Sequence, residues 1–270
     1  MRFPLPLVIF SILLIFFPLD SFSRRTPFFE ILIRSLPISD GGEDIGGEDV
    51  GSSSTDAYCN SWMYSVETNN IGTWATIPII CQSFVEDYMN GPRYLSDSKV
   101  VASYSLAFAK DVFIGGGKDA WIFDADETLI SNLQYYAENG YGSEIFNETK
   151  WNEWVVLSAA TALPASLELY NDLKSLGFKI MILTGRGEGQ RELTQKNLNN
   201  AGYSGWEKLI LRGEGDGGKT AVMYKSEKRA MLESEGYTIH GSSGDQWSDL
   251  SGSPTAKRSF KLPNPMYYIA

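Results

Sequence analysis

Beyond the first quarter of the chain, short apolar runs alternate with stretches of helical spacing. Residues 79–89 and 96–109 have the spacing of helices, and Asn90-Gly91-Pro92 breaks them. Gly115-Gly116-Gly117 then turns the chain into Ala120 to Phe123, a continuous apolar run of the kind that forms a buried strand. A helix is predicted over 163–176, a strand over 178–183, a helix over 189–200 and a strand over 208–211. A charged helix over 225–235, a fourth strand over 237–240 and an edge strand over 260–262 complete the series. Strand–helix alternation predicts an α/β fold, a Rossmann-like three-layer sandwich around a mostly parallel sheet. The segments before 120 make an N-terminal helical extension.

Polar residues fall where these strands end. Asp124 and Asp126 follow the first, Thr184 the second and Asp245 the fourth, while Lys225 opens the charged helix. Ligands of parallel sheets bind beyond the carboxyl ends of the strands, so one crevice would gather all five. Residues i and i+2 of a strand share a face, which sets Asp124 beside Asp126. Such a pair is costly unless a cation or a proton offsets it.

The flanks differ in character. Arg2, the apolar run from Leu7 to Phe17 and Ser21-Phe22-Ser23 form a signal-peptide pattern, with cleavage expected after Ser23; the run is short for a membrane span. Residues 24–55 read as a linker, Gly/Ser-rich and acidic over 40–54, with order expected to begin near Tyr58 and the folded domain to occupy 56–270. A net charge of −10 argues against a nucleic-acid partner. A single histidine, His240, excludes histidine-nucleophile phosphatases and His-rich dinuclear metallophosphatases. Cys59 and Cys81 are the only cysteines, and read either as one disulfide or as two buried thiols. Asn147-Glu148-Thr149 is the one glycosylation sequon.

Hard carboxylate oxygens suit Mg²⁺, with the side chains of Asp124 and Asp245 and the backbone carbonyl of Asp126 as its ligands. Asp124 is the expected nucleophile on phosphorus, and Asp126 the acid that protonates the leaving alcohol and then the base that activates water. Thr184 and Lys225 would hold the phosphoryl oxygens, with Lys219 the competing lysine. Asp249 is expected to orient water or Lys225.

On these residues the chain resembles the haloacid-dehalogenase-like phosphohydrolases, and among them the plant acid phosphatases related to vegetative storage proteins. Asp124-Ala-Asp126-Glu-Thr128, Ile-Met-Ile-Leu-Thr184-Gly-Arg186, Tyr-Lys225-Ser-Glu-Lys-Arg and Gly244-Asp245-Gln-Trp-Ser-Asp249 match the superfamily's four motifs in order. Trp62 with Val66-Glu67-Thr68-Asn69-Asn70, and Ser131-Asn132-Leu133 with Tyr135-Tyr136, match the narrower family, and the similarity spans 56–270. The resemblance implies a small cap between the first two motifs, where Tyr135, Tyr136, Trp151 and Trp154 read mainly as core. A short cap implies an open site and a broad substrate range. Ala125 replaces a larger aliphatic residue, and His240 lies in a strand position that is usually apolar; its reading is structural.

The resemblance implies an acid phosphatase acting on small phosphomonoesters with Mg²⁺. The alternative is a storage protein with vestigial activity, and the presence of Asp124 favours the enzyme. A phosphotransferase would share the same intermediate. Gly213 to Thr220 also fits a nucleotide phosphate loop, but Glu214 and Asp216 oppose a bound nucleotide, and the segment reads as a flexible surface loop. The expected setting is the secretory pathway, outside the cell or in the vacuole. Expected partners are a small substrate and at most a second copy of the chain, with no stable membrane association.

Overall fold

The computed structural model describes residues 50–270. The expected signal peptide, 1–23, and residues 24–49 of the expected linker lie outside the described residues. Helix α1 spans Val50–Glu67, so it starts inside the segment read as linker and ahead of the order expected at Tyr58. Cys59, Trp62, Met63 and Val66 are buried at helical spacing and anchor it. The helix extends back through serines that carry no apolar signal. Two further helices, α2 (Gln82–Asn90) and α3 (Pro92–Lys110), complete the extension, with Pro92 at the first position of α3.

The central strand β1 (Asp119–Phe123) is buried at all five positions. The short strand β2 (Ile130–Ser131) leads into the cap helices α4 (Leu133–Glu138) and α5 (Glu148–Leu157). The chain returns through β3 (Thr161–Ala162), which pairs antiparallel with β2 and closes the base of the insert. Helix α6 (Pro164–Ser175), strand β4 (Lys179–Gly187), helix α7 (Arg191–Asn200) and strand β5 (Lys208–Arg212) follow. Helix α8 (Ala221–Ser234), strand β6 (Thr238–Gly244), the short helix α9 (Trp247–Leu250) and strand β7 (Arg258–Lys261) end the series.

The main sheet has the order β5-β4-β1-β6-β7, and every pair in it is parallel. The chain builds outward from β1 to β5 and then crosses to the other side of β1, which opens a crevice at the carboxyl end of β1. Trp121 and Phe123 pack on one face with α3, α6 and α7 (Ala109, Tyr170, Leu198). Ala120 and Ile122 pack on the other with Tyr224 and Leu232 of α8. Three layers follow from this alternation.

Strand β6 runs four residues past the expected end at His240. Gly241 to Gly244 carries little hydropathy, but Ser242 and Ser243 pair with Ile122 and Phe123 in the sheet. A Cβ on Gly241 would lie 2.4 Å from the Trp121 ring, so only glycine lets the indole cross there. The Trp121 indole N–H then donates to Ser243 Oγ at 3.0 Å. These small residues deliver Asp245 to the crevice.

Candidate active site

The turn after β1 sets the site. Asp124 continues the strand, its N–H donating to the Ser243 carbonyl at 3.0 Å. Glu127 then takes a left-handed conformation, φ +52°, which is strained for a side chain of its size. Its carboxylate is fully buried and holds the turn by accepting from the Asn132 N–H at 2.5 Å and the Tyr267 hydroxyl at 2.8 Å. Burial, with Asp126 and Asp245 nearby, pushes the Glu127 carboxyl up to about 8.

Asp124, Asp126, Lys225 and Asp245 all line one cavity of about 710 Å³. Lys225, in the second turn of α8, donates to Asp124 Oδ1 at 2.6 Å and to Asp249 Oδ1. Burial favours its neutral amine, but the carboxylates of Asp124 and Asp249 outweigh it and hold the ammonium above its ordinary range. Asp124, Asp245 and Asp249 each offer an oxygen within 4.8 Å of the others. Three carboxylates around one ammonium leave a charge of about −2, which fits a divalent cation in both sign and donor type.

Asp245 is fixed from three directions. Oδ1 accepts from the Thr128 hydroxyl at 3.1 Å, and Oδ2 from Gln246 Nε2 at 2.8 Å and Asn264 Nδ2 at 2.7 Å. Burial and then Asp249 push its carboxyl up to about 6, against the pull of Asn264 and Gln246. Glu67 at the end of α1 accepts from the Asn264 N–H at 2.8 Å, so the N-terminal extension braces this carboxylate at second hand. Asp249 is occupied by Lys225 and by the Gln246 N–H at 2.9 Å, the lysine-orienting position expected for it.

Asp126 is held by Arg186. Nε donates to Oδ2 at 2.9 Å and Nη2 to Oδ1 at 2.7 Å, while Asn132 Nδ2 donates to Oδ1 at 2.8 Å. Burial raises this carboxyl, but Arg186 and Asn132 hold it below the ordinary range. Thr184 is fully buried, and its hydroxyl accepts the Arg186 N–H at 3.2 Å. Gly185 and Arg186, rather than Thr184, line the cavity. Strand β4 continues through them to Gly187 instead of halting at Thr184.

Lys219 lies apart from these groups, bound to Asp216 at 3.1 Å and to Glu227. Buried Asp216 also accepts from Lys228 at 2.9 Å and from the Gly213 N–H at 3.0 Å, which pins the loop read as flexible. Tyr135, Tyr136 and Trp154 of the cap are core, while Trp151 is half-buried and, like Tyr136, faces the cavity. Trp74 and Tyr268 join them from the N- and C-terminal segments.

Arg186, Asn132, Glu127, Gln246, Asn264 and Tyr267 were not among the expected site residues. Arg186, Asn132, Glu127 and Gln246 stand inside matched motifs, which is a usable signal. Asn264 and Tyr267 come from a segment with no strand or helix pattern.

A parallel sheet with this carboxylate pair after its central strand, a lysine on the helix before β6 and a second acidic loop after β6 is the architecture of a haloacid-dehalogenase-like phosphohydrolase. The chain belongs to the HAD superfamily, subfamily IIIB (Acid phosphatase), whose model matches residues 47–270. Phosphatases of this superfamily generally use a divalent metal. The chain is 52% identical to Acid phosphatase 1 of Solanum lycopersicum over 78% of its own length and 83% of the relative's. It is 45% identical to the Stem 28 kDa glycoprotein of Glycine max, over 81% of this chain and 87% of that one. It is 40% identical to Vegetative storage protein 2 of Arabidopsis thaliana, over 79% and 81%. The solved class C acid phosphatase from Bacillus anthracis shares the fold, with a TM-score of 0.59 at 22% identity over 69% of this chain and 85% of that one.

Proposed function

We propose that this phosphatase hydrolyses small phosphomonoesters through an aspartyl-phosphate at Asp124, with Mg²⁺ as its metal. The observation that carries the reading is the placement of Asp124. It ends the central strand, faces a cavity, lies 2.6 Å from Lys225 and shares a 4.8 Å cluster with Asp245 and Asp249.

The carboxylates of Asp124 and Asp245 and the carbonyl of Asp126 would hold the cation; their all-oxygen chemistry favours Mg²⁺ over softer metals. Its bound charge would ease the approach of an anionic nucleophile to an anionic phosphoryl group. The chain's own residues do the rest. Asp124 attacks phosphorus, and Lys225 balances charge on the transferring oxygens. Asp126 gives a proton to the leaving oxygen and later takes one from the attacking water. Thr184, which does not line the cavity, accepts the Arg186 N–H and so holds the turn that presents Gly185 and Arg186 to it.

The relatives named as vegetative storage proteins favour a second reading, accumulation with weak catalysis. Aryl phosphate hydrolysis with Mg²⁺, with EDTA and in Asp124→Asn separates the two. Activity lost in both treatments supports the enzyme. An inactive intact protein supports storage, and activity unaffected by either treatment overturns the mechanism. Passage through the secretory pathway, with removal of 1–23, belongs to the same proposal. The Cys59–Cys81 disulfide supports it, because such bonds persist in oxidising compartments. Asn147 is exposed, and its side-chain oxygen caps α5 at Lys150 N, which leaves the amide nitrogen available to a glycan. No helix among the described residues is long and apolar enough to cross a membrane.

A further inference from the structure

Most of the charged residues that line the cavity are matched. Arg186 grips Asp126, and Lys225 binds Asp124 and Asp249. Asp245 belongs to the carboxylate cluster that fits a metal. Glu148 stands exposed in the first turn of the cap helix α5. Arg212 is different: it is the lining cation that has no carboxylate partner among the described residues.

Arg212 ends β5 and pairs in register with Gly187, which lines the same cavity. Its guanidinium lies 4.5 Å from the centroid of the buried Tyr224 ring, a cation–π distance, and Tyr224 precedes Lys225 on α8. Nη1 donates to the carbonyls of Asp216 at 3.3 Å and Lys219 at 3.1 Å. Both Nη1 protons are used there, while Nε and Nη2 donate to nothing among the described residues. The Asp216 carboxylate does not serve them, because Lys219, Lys228 and the Gly213 N–H take it. Tying down the loop after β5 therefore accounts for Nη1 alone.

Elsewhere in the chain the Nε–Nη2 fork grips a carboxylate. Arg186 uses it on Asp126, and Arg191 uses it on Glu188. Arg212 holds the same fork in place, by the Tyr224 ring and two carbonyls, beside the substrate cavity. Such a fork matches a carboxylate or a phosphate bidentately.

We propose that Arg212 is an anion subsite of the substrate cavity, so that the preferred substrates are phosphomonoesters whose alcohol part carries a second acidic group, a carboxylate or another phosphate. This rests on the phosphomonoester reading above. The reacting phosphoryl group meets Asp124 and Lys225, and the Nε–Nη2 fork takes the acidic group at the other end. A cavity of about 710 Å³ has room for both ends of a small diacid. The contact is the same before and during phosphoryl transfer, so it acts on KM rather than on kcat.

Phosphate esters of ω-hydroxy acids of graded chain length, each paired with its neutral amide, test the subsite with Mg²⁺ present. At the length that reaches Arg212, the acid has a kcat/KM about tenfold or more above that of its amide, the strength of a charge-assisted pair. Bisphosphates of alkanediols, set against the monophosphates of the same diols, tell whether a second phosphate or a carboxylate is preferred. Arg212→Gln keeps a donor for the loop, which Asp216 also holds, and erases the preference while the amides keep their constants. Arg212→Lys retains the charge and the fold where the glutamine variant does not, and keeps part of the preference. No preference at any length for either acidic group would overturn the proposal. So would a preference that survives in Arg212→Gln, or equal losses for acids and amides in the folded variants. Phosphonate analogues, with a methylene in place of the ester oxygen, give the same acid-over-amide ratio by calorimetry without turnover. Neutral esters left intact by the wild-type protein would count against the phosphatase reading, while the phosphonate ratio still decides the subsite.

Discussion

Lys225 Nζ lies 2.6 Å from Asp124 Oδ1, both side chains are buried, and the same ammonium also binds Asp249. The lysine holds two carboxylates together that would otherwise repel. Its removal leaves buried charge unpaired, so Lys225→Met is expected to cost about 3–5 kcal/mol of stability. Activity falls with it, by roughly 10²–10³-fold if the ammonium also meets the transferring oxygens. Urea unfolding and steady-state hydrolysis measure the two losses. Removing the charge of Asp249 as well, in Lys225→Met/Asp249→Asn, recovers stability but not activity.

The carboxylate cluster predicts a metal-dependent melting temperature. A cation that binds only the folded chain at about 100 times its Kd adds about 2.7 kcal/mol. Mg²⁺ therefore raises the Tm of the chelated protein, and Asp245→Asn abolishes the rise. Asn264 Nδ2 donates to Asp245 Oδ2 at 2.7 Å and so orients that carboxylate. Asn264→Ala is expected to weaken Mg²⁺ binding about 10–100-fold, as loss of a ligand's orienting partner does. Calorimetric titration separates the two substitutions.

Much of this site is legible in the sequence because strand-end position is legible. Asp124 and Asp126 follow an apolar run, Lys225 lies on a helix that begins at Ala221, one turn before its expected start, and Asp245 stands past the small residues that end β6; all four meet in one cavity. What was hidden depends on packing between distant segments. Ser242 and Ser243 extend β6 by pairing with Ile122 and Phe123, beside the point where Trp121 crosses Gly241. Asn264 finds Asp245 through a segment without periodicity, and Glu67 accepts from the Asn264 N–H across a separation of 197 residues. No local pattern encodes a hydrogen bond of that span. The small β2–β3 pair is two residues long on each side, below what periodicity can reveal.

Cys59 and Cys81, 22 residues apart, join α1 to the segment that leads into α2. A loop of that size is worth about 3 kcal/mol, or about 6–12 °C in Tm for a chain of this length. The double substitution to serine, compared by calorimetry under oxidising conditions, should show that drop. An unchanged Tm would mean that α1 is held by Trp62, Met63 and Val66 alone.

His240 serves the other end of the sheet. Its Nε2 lies 2.8 Å from Asp119 Oδ1, while Asp119 Oδ2 accepts from the Gly115 and Gly116 N–H groups. Burial raises the Asp119 carboxyl, but His240 and the two backbone donors outweigh it and lower the folded pKa. A depressed folded pKa gives stability that is present above the unfolded value of about 3.9 and lost as pH falls through the folded one. Asp119→Asn is therefore expected to cost about 2 kcal/mol at pH 7, mostly from charge-assisted bonds, and much less near pH 2. Urea unfolding at both values checks the sign; a penalty that grows toward acid contradicts it.

The central claim is that Asp124 carries the phosphoryl group. Rapid acid quench during turnover of an aryl phosphate, followed by borohydride reduction and peptide mass spectrometry, tests it directly. The account predicts a reduced phosphoaspartyl residue at Asp124, absent from Asp124→Asn and absent after chelation. Full turnover in Asp124→Asn, or a phosphoryl group trapped on another side chain, would contradict it.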